Sequence, residues 1–325
     1  MKSYLYSFLF LLIPVILVAQ SSKDKTIYLD SLFRQTKEKD YKYYMIVEDY
    51  KTIQQEYFIT RYYLSGKMES KGISESREFF QKKGEITSYY ENENIKSTIL
   101  YRDRYAHGKC EFWYENGIKK MEGEYIISIE EDKTKKSNLK VINSWDKNNV
   151  QTVINGDGDY EDDESFEKEW TYLSAISKGA VKNGLKDGVW IGSSSRPNFK
   201  FLENYEKGQF ISGESIDSNN EKHFYTTIEK APEAPYGIDT FRRYIGINFR
   251  MPNDAPRGGG KIFTTFIIDE NGKMINPTVV KGIGDTMDKE AIRVLSKYVN
   301  WIPGEIRGIK TRFLFSLPIS IGPSY

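Results

Sequence analysis

The sequence predicts a mainly β fold followed by a small α+β domain. Three segments that begin at Tyr62, Tyr89 and Trp113 share one pattern, in which an aromatic pair precedes a Gly or Asn turn, a lysine and a short polar strand. Repetition of this kind indicates an array of stacked β-hairpins. From about residue 231 the pattern changes to helix, strand, strand, helix, strand. That order indicates helices packed on a sheet.

Composition narrows the classes of function. The 325 residues include 47 Lys and Arg against 46 Asp and Glu, so the basic excess of a nucleic-acid-binding protein is missing. Cys110 is the single cysteine, which excludes an intramolecular disulfide and a cysteine-based zinc site. Tyrosine (24) and phenylalanine (18) are abundant, as in short amphipathic strands. We expect no nucleic-acid partner, no cofactor and no metal.

Residues 1–19 are predicted to be a secretory signal peptide. Lys2 precedes an uncharged apolar run that ends with the small Ala19, which would stand directly before the cleavage site. An uncleaved membrane anchor is the alternative, although the run is short for a span of roughly 20 residues and contains Pro14. The protein is expected to be exported, with membrane contact only through this segment if it stays uncleaved. Residues 20–59 are interpreted as a connector with short strands.

Residues 60–225 are interpreted as the repeat array. The second aromatic residue of the pair recurs at positions 63, 90 and 114. Asn116-Gly117 is a strong signal for a hairpin turn, because glycine supplies positive φ. Asn94 is expected to replace that glycine in the second copy, since asparagine tolerates positive φ better than most residues.

A second block beyond residue 149 shows the same features, with Asn183-Gly184 and Trp190 in corresponding places. Together with Tyr105-Ala106-His107-Gly108-Lys109, these segments resemble the variant MORN repeats. The resemblance implies a β-hairpin array and, because the motifs are short, it implies no specific chemistry.

Residues 231–325 are expected to form one domain with two helices packed on a three-stranded antiparallel sheet. The first helix is predicted from four apolar residues at helical spacing, Ile238, Phe241, Ile245 and Phe249. A strand at 262–268 is expected to turn at Asn271-Gly272 into a strand at 276–281.

The second helix is expected to begin with a capping residue at Asp285 or Thr286 and to be terminated by Pro303-Gly304. The last strand alternates its apolar residues, with Phe313, Phe315, Leu317 and Ile319 pointing inward.

This region resembles the C-terminal domain of TonB and its relatives. The likeness rests on a strand leading into an Asp-x-x-Gly turn, a Glu-Ala pair in a helix, a Trp-x-Pro-Gly break, a further glycine and a final strand containing Pro-Ile. The motif positions are Pro252, Gly272, Glu290, Ala291, Trp301, Pro303, Gly304, Gly308 and Pro318.

In that family, the domain binds an extended segment of an outer-membrane TonB-dependent transporter as an added strand. The resemblance therefore implies a protein partner, a location in the periplasm of a Gram-negative bacterium and no enzymatic activity. It places the docking edge on the strand 308–319. The residues expected at this edge are Lys310, Arg312, Phe313, Phe315 and Leu317.

Departures from TonB argue against coupling to an inner-membrane motor. The two histidines, His107 and His223, both lie outside the apolar N-terminal segment, and no proline-rich spacer follows that segment. Met251 also precedes Pro252 where a tyrosine is common. The alternative is a structural scaffold whose repeats mediate protein interaction and whose C-terminal domain dimerises. A cytosolic antitoxin role, which the repeats also allow, is disfavoured by the export signal.

Three other patterns are interpreted as structural. The acidic run 157–164 fails the calcium-loop spacing, since Asp162 and Lys168 stand where Gly and Glu are needed, and it is interpreted as a solvated repeat turn. The Gly-rich stretch 256–261 is interpreted as a connector, because neither Ser nor Thr follows its lysine. Cys110 is interpreted as a small core residue.

Overall fold

The computed structural model describes residues 23–31, 33–129, 133–164, 174–253, 256, 258–299 and 301–322. The predicted signal segment 1–19 lies outside these residues. Within the described part, sixteen strands form one antiparallel sheet in which each strand pairs with its neighbours in the sequence. No helix of the described part is long and apolar enough to cross a membrane.

The strands of the large sheet follow one another in chain order, and the sheet begins within the segment interpreted as a connector. They are β1 (Lys25–Leu29), β2 (Tyr43–Val47), β3 (Tyr57–Tyr63), β4 (Met68–Ser74), β5 (Lys82–Tyr89), β6 (Ile95–Arg102), β7 (Tyr105–Trp113), β8 (Lys119–Ile129), β9 (Lys135–Trp145), β10 (Gln151–Ile154), β11 (Asp157–Asp163), β12 (Ala175–Lys182), β13 (Leu185–Ser195), β14 (Asn198–Glu206), β15 (Gln209–Asp217) and β16 (Lys222–Tyr225). This array of antiparallel hairpins confirms the mainly β prediction.

The recurring tyrosines at 63, 90 and 114 link consecutive hairpins. Each hydroxyl donates a hydrogen bond to a backbone carbonyl beside the next hairpin turn. The bonds are Tyr63 to Tyr89 (2.8 Å), Tyr90 to Trp113 (2.8 Å) and Tyr114 to Trp145 (3.1 Å). Burial and nearby carboxylates raise the pKa of Tyr90 to about 12. The distance in sequence between these tyrosines therefore equals the distance between consecutive hairpins.

One turn assignment from the sequence is wrong. The residue with positive φ in the second copy is Glu93 (φ 72°), which occupies the place of Gly117 (φ 85°). Asn94 follows it and donates its side-chain amide to the Glu115 carbonyl at 2.8 Å. The Tyr90 amide bonds the Asn94 carbonyl as the Tyr114 amide bonds the Ile118 carbonyl, so Asn94 corresponds to Ile118 and stands one residue after the positive-φ position.

Glycines of the repeat sheet make room for aromatic rings on the next strand. Gly179 pairs with Trp190, and a Cβ on Gly179 would lie 2.5 Å from the ring. Gly213 pairs with Tyr225, whose ring covers it in the same way. Pairs of a glycine and an aromatic residue on neighbouring strands thus recur in the packing of this sheet.

The sheet curls so that turns between later strands lie against β9. The amide of Val141 in β9 donates to the Gly184 carbonyl at 2.9 Å, and the Gly184 amide donates to the Gly156 carbonyl at 2.7 Å. These bonds bring the turns after β10 and β12 onto β9. The core enclosed by the curl consists of Cys110, Phe112, Met121, Tyr125, Val141, Val153, Tyr160, Val181, Trp190 and Tyr205.

The C-terminal region has the predicted α+β form. Two helices, α1 (Ile238–Asn248) and α2 (Asp285–Ser296), accompany a three-stranded antiparallel sheet in the order β19-β18-β22. A second small sheet joins β17, β20 and β21. The strands are β17 (Glu229–Lys230), β18 (Gly260–Ile268), β19 (Met274–Lys281), β20 (Glu305–Ile306), β21 (Ile309–Lys310) and β22 (Phe313–Ile321).

The boundaries of α2 differ from those predicted. Gly284 is its N-cap and Asp285 is already helical, so neither predicted residue caps the helix. The helix ends at Ser296, well before Pro303-Gly304, because the Tyr298 amide bonds to the Leu295 carbonyl in a tighter turn. The chain then reaches Trp301, whose amide donates to the Gly272 carbonyl at 3.0 Å.

Candidate functional site

The final strand β22 lies at the edge of its sheet. Its nine residues pair with β18 without a break in register, from Phe313 opposite Ile268 to Ile321 opposite Gly260. Among the described residues, no strand pairs with the opposite edge of β22. An unpaired edge presents a row of backbone N–H and C=O groups that a further strand can bond.

The register shows which backbone groups point outward. The Thr264 hydroxyl donates to the Leu317 carbonyl at 2.9 Å, and the Ile321 carbonyl faces Gly259, so odd-numbered residues bond toward β18. Because antiparallel pairs alternate, even-numbered residues direct their N–H and C=O groups to the open edge. Pro318 is one of them, and its missing N–H therefore costs β18 no hydrogen bond.

The five residues predicted for the docking edge differ in burial and in the contacts that they make. Phe313 and Leu317 are buried, and Phe315 stacks on Phe266 with ring centroids 5.6 Å apart. Arg312 is exposed and forms an ion pair with Glu270 at 3.0 Å. These four side chains therefore take part in packing or ion pairing within the domain itself.

Lys310 belongs to another element. It lies in β21, which pairs with β20, and the Thr311 amide donates to the Gly304 carbonyl at 3.0 Å. The segment 308–319 is consequently two strands. Its first part is covered by its own chain, and β22 carries the open edge.

Several motif positions are explained by close approach of the backbone. Gly272 has φ 76°, and any Cβ there would strike the Trp301 carbonyl beside Pro303. Gly304 lies against the Phe313 ring, which leaves no room for a side chain. Trp301 itself is buried, in the same core as Ala291.

Glu290 joins α2 to the segment that follows α1. Its carboxylate accepts the Arg250 amide at 2.6 Å and both Nε and Nη2 of Arg293 at 2.6 Å. The bond from Arg293 is the main reason that the pKa of Glu290 is lowered. Arg293 also donates to the Asn248 carbonyl at 2.7 Å. Pro252 follows this junction and is half-buried.

The C-terminal domain contacts the repeat sheet through the tip of the β20–β21 hairpin. Arg307 and Gly308 form the tip, both with positive φ. The Arg307 side chain, 1% exposed, bonds Glu203 of β14 at 2.7 Å and Glu164 after β11 at 2.6 Å. Its guanidinium carbon lies 3.9 Å above the Phe201 ring.

The charges in this contact are satisfied on all sides. Tyr205 and Tyr225 each donate a hydroxyl to Glu203 at 2.9 Å. Burial alone would lower the pKa of the Arg307 guanidinium, but Glu164 and Glu203 outweigh it and raise that pKa. Arg307 therefore stays charged.

Backbone and apolar contacts extend the junction. The Ser215 hydroxyl donates to the Arg307 carbonyl at 2.7 Å, and the Arg307 amide donates to the Ile228 carbonyl at 2.7 Å. A shared core contains buried residues of both parts of the chain: Ala175, Phe199 and Phe201 with Ile306 and Phe313. The first residue of β22 is thus fixed to the repeat sheet.

The acidic run is a strand rather than the predicted turn, although Asp157, Asp159 and Glu161 are exposed as expected, and the junction was not predicted. Residues 157–163 form the strand β11, because Tyr160 packs into the core and Asp162 pairs with Lys186 at 2.8 Å. Glu164 is bound by Arg307 rather than solvated. One signal was available: Glu203 occupies an inward position in the alternating strand β14. An inward glutamate requires a buried partner.

Asp217, Glu221 and His223 form a cluster within the described part of the chain whose potential metal-ligand atoms lie within 4.8 Å of one another. Asp217 already accepts the amides of Asn219 and Glu221 at 2.8 and 2.9 Å, and its other oxygen contacts His223 at 3.2 Å. These bonds close the β15–β16 turn, so we assign no metal to the cluster.

Comparison with known families agrees with the order of the two parts. Residues 82–103 and 106–126 match the MORN repeat variant. Residues 254–320 match the family described as Gram-negative bacterial TonB protein C-terminal. No curated protein sequence matches the chain. The chain therefore carries variant MORN repeats followed by a domain of the TonB C-terminal family.

Proposed function

We propose that the protein is an exported, periplasmic envelope protein of a Gram-negative bacterium that binds a partner protein at the outer edge of β22. The observation that carries this proposal is the open edge itself, with β18 on one side and no strand of the described chain on the other. The TonB-type domain supports an envelope role, and the MORN repeats support protein interaction. The protein acts by binding and catalyses no reaction.

The edge suits recognition by strand addition. Ser316, Pro318 and Ser320 are exposed, and their small side chains leave the adjoining backbone accessible. In strand addition, main-chain hydrogen bonds supply the affinity and side-chain pockets supply the specificity. The proposed partner is an extended segment of another protein. The resemblance to the TonB C-terminal domain suggests that this protein is an outer-membrane TonB-dependent transporter.

A scaffold role is the second candidate, and the junction at Arg307 favours it. A C-terminal domain held on the repeat sheet by buried charges and a shared core is a fixed part of that sheet. In this role the repeats hold the partner, and β22 pairs with β22 of a second copy.

A capture experiment on solubilised envelope tests the proposal. Three forms of the full-length protein serve as bait: the unaltered chain, Ser316→Ala and Ser316→Pro. The Ser316 N–H points to the open edge, so proline removes a donor for the added strand and leaves pairing with β18 intact. Proline at Phe315 would instead break the domain's own sheet. Chemical crosslinking then maps the bound segment, and circular dichroism checks the fold.

We expect the unaltered chain and Ser316→Ala to retain a transporter through an extended segment crosslinked beside β22, and Ser316→Pro to lose it. Retention of the transporter by a folded Ser316→Pro variant would show that the edge is not the binding site. Capture only of a second copy of the chain would support the scaffold role.

A further inference from the structure

The helices of the C-terminal domain present an outer face that is separate from the edge of β22. The core of the domain lies between the helices and the sheet β19-β18-β22. Phe241 and Ile245 of α1 point into this core, and so do four buried residues of α2. The opposite faces of both helices therefore point away from the sheet.

The two helices lie side by side and antiparallel, so their outer faces form one surface. Arg293 in α2 donates to the carbonyl of Asn248, the last residue of α1, at 2.7 Å. Further back along α1, the ring of Tyr244 lies 4.9 Å from that of Tyr298, which follows α2. The end of α1 is thus beside the middle of α2, and the middle of α1 is beside the end of α2.

Large apolar side chains stand exposed at both ends of this surface. Ile247, near the end of α1, is 75% exposed. At the other end, Tyr236 before α1 is 94% exposed and Val299 after α2 is 61% exposed. The bridge between Glu233 and Ile302 holds these two segments together. Exposed apolar side chains grouped within a polar surface mark a contact site.

Cations stand between these apolar side chains. Arg243 lies on the outer face of α1, and Lys289 and Lys297 lie two turns apart along α2. All three are exposed, and no carboxylate in the described part of the chain forms an ion pair with them. The neighbouring carboxylate of Glu290 is bound by Arg293.

The charge balance of the helix layer is positive, whereas that of the whole chain is close to neutral. Residues 236–251 and 285–299 contain six arginines and lysines against four carboxylates. Three of these carboxylates are already engaged: Asp239 with Arg242, Glu290 with Arg293, and Asp288 with the Ile283 amide. The outer face is therefore basic.

An anionic bilayer suits this combination of side chains. Cations beside lipid phosphates gain Coulomb energy, and aromatic and aliphatic side chains next to them enter the interface. Because the apolar side chains stand at both ends of the helix pair, a broad surface reaches all of them together. A narrow acidic peptide would reach only some of them.

We propose that the outer face of α1 and α2 binds the surface of an anionic phospholipid bilayer. The side chains that make this contact are Tyr236, Ile247 and Val299 in the headgroup region and Arg243, Lys289 and Lys297 at the phosphates. The proposal goes beyond the expectation that membrane contact is confined to residues 1–19. A domain that lies on a membrane through its helices keeps the edge of its sheet accessible.

Vesicle binding tests the proposal with the chain from residue 20 onward, which keeps every described residue and lacks the apolar N-terminal run. We expect this chain to cosediment with vesicles that contain phosphatidylglycerol, to be released by salt, and not to bind vesicles of phosphatidylcholine alone. Arg243→Gln and Lys297→Gln should each weaken binding about fivefold, which is the contribution of one cation near an anionic surface. Lys200→Gln, which removes an exposed lysine of β14, should leave binding unchanged.

A fluorescent label locates the contact independently. Cys110 is buried, so a cysteine introduced at an exposed position can be labelled selectively. Nitrobenzoxadiazole attached to Ile247→Cys should shift its emission to the blue on phosphatidylglycerol vesicles. The same label on Ile191→Cys, an equally accessible position of β13, should not respond. Circular dichroism checks the fold of each variant.

The proposal is wrong if the chain does not bind the anionic vesicles, or if Lys200→Gln weakens binding as much as Arg243→Gln. It is also wrong if the label at position 247 stays unchanged while the chain is bound to vesicles. Binding of polyglutamate by a chain that ignores the vesicles would identify an acidic protein segment as the partner instead.

Discussion

Arg307 shows how a single side chain can fix the arrangement of two parts of a chain. Its buried guanidinium donates hydrogen bonds to the carboxylates of Glu203 and Glu164. Tyr205 and Tyr225 donate further hydrogen bonds to Glu203. Moving ions out of water costs several kcal/mol each, and this cost is offset only when every charge is paired and hydrogen-bonded. The contact is therefore specific, since a shifted docking of the hairpin would leave buried carboxylates unpaired.

Arg307→Met should lower the free energy of unfolding by about 3–5 kcal/mol, because Glu203 would remain buried without its cation. Urea unfolding of the full-length protein measures the change. Arg312→Met is the matched control, as its ion pair with Glu270 is about half exposed and such pairs contribute under about 1 kcal/mol. Equal effects of the two substitutions would show that the Arg307 contact is no stronger than a surface pair.

At the scale of the element, an aromatic ring on one strand of the repeat sheet occupies the space above a glycine on the paired strand. Gly179 with Trp190 and Gly213 with Tyr225 follow this rule, and Gly192 with Phe201 is a third case. The Trp190 indole lies over its glycine partner and donates to the Ala180 carbonyl at 3.0 Å. The glycine is needed for space, and its backbone flexibility is secondary at Gly179.

Gly179→Ala should destabilise the protein by about 1–3 kcal/mol, because the new methyl group displaces the Trp190 ring. Gly246→Ala should instead stabilise it by roughly 0.5–1 kcal/mol, since Gly246 lies in α1 with nothing within 4 Å of its Cβ position. Thermal unfolding of the two variants compares them. A destabilising effect at both positions would contradict this explanation.

At the scale of the whole molecule, the contacts of β14 and the β20–β21 hairpin join the two parts into one unit. Repeat arrays are stabilised mainly by contacts between neighbours, so loss of one contact is expected to act locally. The N-terminal strands have their own core, which includes Ile27, Met45 and Ile59.

Native-state hydrogen exchange of Arg307→Met should show this locality. We expect amides of β14, β20 and β21 to exchange on the order of a hundredfold or more faster than in the unaltered protein, with those of β2 and β3 unchanged. Uniform acceleration over the whole sheet would mean that the chain opens as a single cooperative unit. No change at β14 would mean that the shared core alone holds the hairpin.

Prediction from sequence succeeded where the signal is local. The turn at Asn116-Gly117 lies inside the hairpin that it closes, and the tyrosines at 63, 90 and 114 each bond the next hairpin along the chain. The predicted helices were also found, although both ends of α2 were misplaced: Gly284 caps it, and the tight turn from Leu295 to Tyr298 ends it before Pro303-Gly304.

The sequence by itself determined the hairpin array, the helix-and-sheet form of the C-terminal domain and the two families they resemble. Period-two and helical patterns and turn residues act between neighbours in the chain, so one sequence suffices to find them. Only the tertiary structure decided that the edge of β22 stays open, that β11 faces the β5–β9 hairpins across a cleft, and that Arg307 meets Glu203 and Glu164. The Arg307 contacts join residues 104 and 143 positions apart, and their energy depends on burial and charge pairing that arise only after the sheet has curled.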